Sequence, residues 1–128
     1  MLPNFGQVRA WMMTPTDIVS ERPVPPPSTS SAQMQQGVAE VKQTVQNLTR
    51  EQTAIAYKWN DGAGTYAPPG HWNDIAAEYI SDARLSEVRA ARAFALVNTA
   101  MHDGAVGCWE AKYFYFICSL APPPISTR

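Results

Sequence analysis

Three side chains of this chain have types and settings that could do chemistry: His71, His102 and Lys112. His71 follows Pro68-Pro69-Gly70 and stands beside Trp72, a setting that suits a catalytic histidine and equally a histidine that caps a helix or packs on a ring. His102 lies four residues after Asn98 and next to Asp103. Four residues is about one helical turn, so Asn98 and His102 share a face. Adjacent helical residues point about 100° apart, so His102 and Asp103 cannot pair directly as acid and base. These polar groups in an apolar stretch read as hydrogen bonds between helices, because buried polar groups need partners. Lys112 is flanked by Trp109, Tyr113, Phe114, Tyr115 and Phe116. Its ammonium either snorkels along the rings to solvent or enters a polar pocket and meets an oxyanion. One lysine does not make a phosphate site, which needs several donors around the oxygens. No nucleophile–base–orienter spacing links the three residues, so a small independent enzyme built on them is the weakest reading.

Composition bounds the rest. The chain has 128 residues, 45% apolar and 16% charged, with a formal net charge of −1. That length suits one domain with a modest core. The low charge content implies either extensive burial or a surface that expects a partner. The charge balance argues against nucleic-acid binding, which needs a basic face, and against a membrane surface held by basic residues. Cys108 and Cys118 give no disulfide framework and read as buried free thiols. No zinc spacing occurs. Met1 to Gly6 lacks the basic head and apolar run of a signal peptide. Ala90 to Trp109 approaches membrane length but contains Arg92, Asn98, His102 and Asp103, so no membrane insertion is expected.

The elements that must position the candidate residues are helical. Residues 1–30 read as an extended, Pro-rich arm, since Pro3, Pro15, Pro23 and Pro25-Pro26-Pro27 exclude a long helix. Phe5, Val8, Trp11, Met12, Met13, Ile18 and Val19 are expected to bury themselves on the bundle formed by residues 31–128. A helix begins near Ser31, with Val38, Val41, Val45 and Leu48 as the stripe packed on the core. Thr49 to Gln52 has capping-box form and starts a second helix, with Ala54, Ile55, Ala56, Tyr57 and Trp59 buried. A third is expected from about Trp72 to Ser81, with Asp74 in its first turn. The longest is expected from Glu87, capped by Ser86, to about Phe116. Its stripe of Ala90, Phe94, Val97, Met101, Ala105 and Cys108, widened by Val88, Ala91, Ala95 and Val106, predicts a central buried helix. Gly104 and Gly107 would admit a close neighbour or mark a kink, and Pro122-Pro123-Pro124 ends any helix. No strand pattern is present.

An ordered set of segments resembles the soluble, bacterial branch of the vanadium-dependent haloperoxidases and the type-2 phosphatidic acid phosphatase superfamily. These are Leu2-Pro3-Asn4-Phe5-Gly6 with Trp11; Glu40-Val41-Lys42; Thr49 to Ala54 with Trp59; Pro68 to Ala76; Ala91-Arg92 with Leu96, Asn98, Ala100 and Asp103; and Trp109-Glu110-Ala111-Lys112-Tyr113. The likeness covers residues 1 to about 116. It implies an all-α fold, here a partial helical bundle resembling the N-terminal half of such a domain. It also implies a site for vanadate or phosphate at the end of the bundle, with Lys112 as the lysine of its charge cage. In the family an Arg-Pro follows that lysine after six residues, and later come a Ser-Gly-His segment and a final arginine with a histidine. Here Ser119-Leu120 stands at the Arg-Pro position and no Ser-Gly-His occurs. His71 and His102 precede Lys112 in different motifs and do not correspond to the catalytic histidines.

Two functions follow as expectations. The first is a truncated or decayed superfamily member, the front piece of an enzyme for peroxide-dependent halide oxidation or phosphate-ester hydrolysis. It would be inactive alone, binding neither vanadate nor phosphate without a missing C-terminal half. The second is a non-catalytic helical module whose exposed core requires a partner or self-association.

Overall fold

The computed structural model describes residues 4–115. The regular structure is entirely helical: a 3-10 turn Phe5–Gln7, then α1 (Pro15–Ser20), α2 (Ala32–Gln46), α3 (Arg50–Lys58), α4 (Ala67–Asp82) and α5 (Glu87–Phe114). No strand occurs among the described residues. An all-helical bundle is therefore the architecture. Cys118, Phe116 and Pro122-Pro123-Pro124 lie outside the described residues.

Local chemistry sets most helix starts. The Ser31 hydroxyl accepts the Met34 N–H at 3.1 Å and opens α2. At α3 the Thr49 hydroxyl accepts from the Gln52 N–H at 3.1 Å, and the Gln52 side chain accepts from the Thr49 N–H at 3.0 Å, completing the expected capping box. The same device, not anticipated, builds α1. Thr14 and Asp17 cap one another around Pro15 in the first turn. Helix α4 starts at Ala67, earlier than expected, with prolines in its first turn. Proline lacks an N–H that the first turn would leave unpaired in any case, so Pro68-Pro69 opens the helix instead of blocking it. Asp74 is consequently well inside α4, and no acidic residue occupies the first turn.

The described residues form two compact units, one of residues 4–25 with 102–115, the other of residues 26–101. In the first, the arm lies along the C-terminal part of α5. Its core is Ala10, Ile18 and Val106, flanked by Phe5 and Met13. Val106 is fully buried. Gly6 permits the closest approach, since a Cβ there would collide with the backbone of Glu110. In the second unit, α4 and the first half of α5 form a helical hairpin tied by Asn73 and Asn98. Each amide donates to the other's oxygen, at 3.0 and 2.8 Å.

Several expectations about burial are corrected. Val38, Val41 and Val45 on α2 are 59%, 64% and 61% exposed, and Leu48 is also exposed. Ala54, Ile55, Ala56, Tyr57 and Trp59 are exposed too. Helix α5 is not a buried central helix: Val88, Ala91, Ala95 and Leu96 face solvent, and its buried residues are Asp103, Val106 and Ala111. Cys108 is exposed because it lies roughly opposite Val106 on the helix. Nothing approaches a Cβ built at Gly104 or Gly107, and α5 runs through both. Within the arm Ile18 is buried and Phe5 and Met13 are half-buried, whereas Val8, Trp11, Met12 and Val19 are exposed. Periodicity reports amphipathicity, not which face finds a neighbour.

This burial pattern separates two valine substitutions. Val106→Ala is expected to cost about 2 kcal/mol, whereas Val41→Ala should change stability by less than about 0.5 kcal/mol. Urea unfolding followed by far-ultraviolet circular dichroism measures both. Equal losses would contradict the described packing. Gly6→Ala should destabilise the first unit through the collision with Glu110.

Candidate functional site

In the first unit the candidate residues sit on consecutive turns of α5. Asp103, 4% exposed, is the anchor. Its carboxylate accepts the backbone N–H groups of Trp11, Met12 and Met13 at 2.7, 2.7 and 3.2 Å. Burial alone would push the Asp103 carboxyl up. The three donors, with His102 beside it, outweigh that and hold it below its ordinary value. His102 places Nε2 3.2 Å from the Arg9 carbonyl. A carbonyl only accepts, so in this contact Nε2 carries the proton and donates. Phe5 and Trp11 present their rings edge-on to the imidazole at 6.0 and 6.5 Å.

Two turns on, Glu110 accepts side-on from one edge of the Arg22 guanidinium, from Nε at 3.0 Å and from Nη2. The Arg22 guanidinium lies 3.4 Å over the Phe114 ring. The Tyr115 hydroxyl donates to the Pro23 carbonyl at 2.7 Å. Lys112 sits between these ties, half-buried, with Nζ 5.4 Å from the centre of the Trp109 ring. Trp109 is itself edge-on to Phe5 at 5.8 Å. His102 and Lys112 are ten residues apart on one helix, about 15 Å along its axis, too far to act on one atom. A vanadate or phosphate needs several donors. Arg22 is committed to Glu110.

His71 belongs to the second unit. It is buried, with Nδ1 3.0 Å from each Asp61 oxygen. Its ring stacks on Trp59 at 4.5 Å and meets the edge of Tyr66 at 5.8 Å. Asp61 reaches it from a left-handed backbone, φ 41°, a conformation aspartate tolerates better than most residues. An aspartate on Nδ1 is what orients a general base, but no hydroxyl or thiol is hydrogen-bonded to this imidazole among the described residues. The contacts make it the fastening of the 59–66 turn to α4.

Sequence reasoning anticipated that Asn98 bonds between helices. It missed Arg22, Glu110 and Asp61. Arg22 and Glu110 are 88 residues apart, and no local signal joins them. Asp61 is ten residues from His71, across the turn that precedes α4. No group of three or more His, Cys, Asp or Glu side chains among the described residues could hold a metal ion. No helix of the described residues is long and apolar enough to cross a membrane. Compared with known proteins, the chain matches no family profile, no characterised protein and no solved structure.

The Asp103 anchor generates a pH prediction. Its folded-state carboxyl is depressed below an unfolded value of about 3.9. The stability it contributes is thus fully present above that value and lost as pH falls through the folded one. Asp103→Asn should lower the melting temperature at neutral pH, and the gap to the parent protein should close in acid. Thermal melts across pH measure this; a gap that persists at low pH would remove the charge of Asp103 from the account.

Proposed function

We propose that this chain is a helical member of the haloperoxidase and type-2 phosphatase superfamily that supplies Lys112 to an oxyanion site and turns over nothing alone. The parent chemistry is peroxide-dependent halide oxidation or phosphate-ester hydrolysis. One observation carries the reading: the residues of the resemblance make the structural ties. Phe5 meets Trp109, Gly6 meets Glu110, Trp11 meets Asp103, and Asn73 meets Asn98. Trp59 meets His71 in the same way. Within each unit, segments far apart in sequence are thus tied together, and Lys112 lies on α5 in the first. The remaining donors and the nucleophile must come from polypeptide outside the described residues.

A second reading, a non-catalytic helical association module, is favoured by the exposed apolar side chains of α2 and α3. Val38, Val41, Val45, Leu48 and Ile55 all face solvent. Exposed apolar stripes of this kind mark surfaces that take a partner.

The test is reconstitution. The chain alone, given vanadate, peroxide and bromide, or a chromogenic phosphate ester, should give no turnover. Refolded with a polypeptide carrying the family's Arg-Pro, Ser-Gly-His and terminal Arg/His segments, it should bind vanadate, measured by vanadium NMR. Lys112→Ala should weaken that binding by about tenfold or more, the value of one charge-assisted contact. Turnover by the chain alone, or binding indifferent to Lys112→Ala, would overturn the proposal.

A further inference from the structure

The hairpin of α4 and the first half of α5 leaves one face uncovered. Trp72, Ile75, Tyr79, Ile80, Leu85 and Val97 line an apolar groove of about 480 Å³ there. Trp72 is 49% and Tyr79 74% exposed, which is unusual for large rings flanking a groove. The groove is bordered by charge of opposite sign on its two sides. Asp82, exposed, lies nine residues after Asn73 and so half a turn round α4 from the side that meets α5. Arg89, also exposed, lies nine residues before Asn98 and likewise on the outer edge of α5. Neither charge makes an ion pair among the described residues.

The register of the hairpin is fixed by the Asn73–Asn98 amide pair. Nine residues on from Asn73 is Asp82, and nine back from Asn98 is Arg89, so the two stand level. Within one hairpin these charges lie on opposite outer edges and point away from each other. They meet only if a second hairpin is laid face to face on the first, with α4 of each over α5 of the other.

We propose that a second copy of this chain covers the groove. A two-fold axis parallel to the helices keeps levels unchanged and brings Asp82 beside the partner's Arg89. Every neighbouring pair of helices is then antiparallel, the arrangement of an up-down four-helix bundle. The apolar groove residues become its core, and the charges become its flanking pairs, as at the edges of a coiled coil. A hairpin about 24 Å long and 20 Å wide gives an interface at the small end of stable ones, so association in the micromolar range is expected. The inference rests on the second unit alone and stands whether or not Lys112 serves an oxyanion.

Sedimentation equilibrium of the full chain, from low to high micromolar concentration, provides the test. A monomer–dimer equilibrium is expected. Asp82→Arg and Arg89→Asp should each weaken the dimer about tenfold, because each reversal makes two contacts repulsive, and the double reversal should recover most of the loss. Ile75→Glu should leave a monomer. These residues are exposed or half-buried, and circular dichroism checks that each variant keeps its helix content. A monomer at every concentration would overturn the proposal. A dimer indifferent to all these substitutions would also overturn it and point instead to the valines of α2. Loss in the single variants without recovery in the double would overturn the proposed pairing.

Discussion

The first unit depends on one buried carboxylate. Taking Asp103 out of water is unfavourable unless its oxygens are satisfied, and on α5 nothing local can satisfy them. The donors are three successive backbone N–H groups of the arm. Those amides in turn belong to an irregular segment that has no ladder or helix to absorb them. Thr14, the next residue, gives its N–H to the Asp17 carboxylate. Four consecutive amides are thereby accounted for by two aspartates. The apolar core here is only Ala10, Ile18 and Val106. So small a core cannot by itself fix the register of an arm on a helix; the pairing of carboxylate and amides does.

The same strip of α5 continues the argument. Asp103, Val106 and Glu110 follow one another at three- and four-residue spacing and so share a face. The arm covers that face: backbone amides on Asp103, Ile18 and Ala10 on Val106, Gly6 and Arg22 on Glu110. Two of its three positions are charged. A reading that follows apolar periodicity passes over it and selects Ala90, Phe94, Val97, Met101, Ala105 and Cys108. Those residues are half-buried at best, and Cys108 is exposed. The covered face of α5 was illegible because its logic is charge satisfied by a distant backbone.

What the sequence did disclose is local. The helical class, the helix start near Ser31 and the Thr49–Gln52 box depend on residues within one turn of each other, and they form as expected. The Thr14–Asp17 box was equally local and was masked only by surrounding prolines. Pro68-Pro69 misled for a related reason, since a helix breaker in the interior is a helix opener in the first turn. Expectations that required a partner fared differently. Asn98 was placed correctly between helices, because a polar amide in an apolar run has few other uses. The valines of α2 were not, because an apolar stripe states a need for cover without saying where the cover is.

This division of labour bears on chemistry. His71 is spent on Asp61, His102 on the Arg9 carbonyl and Arg22 on Glu110. In each case a group capable of acid–base or anion chemistry is used to fasten backbone. Lys112 stands two residues beyond Glu110 and three before Tyr115, both of which hold the arm. Ties on either side fix the helix turn from which its stem departs. The fastening roles of these residues are thus what gives the arm and this stretch of α5 a fixed register.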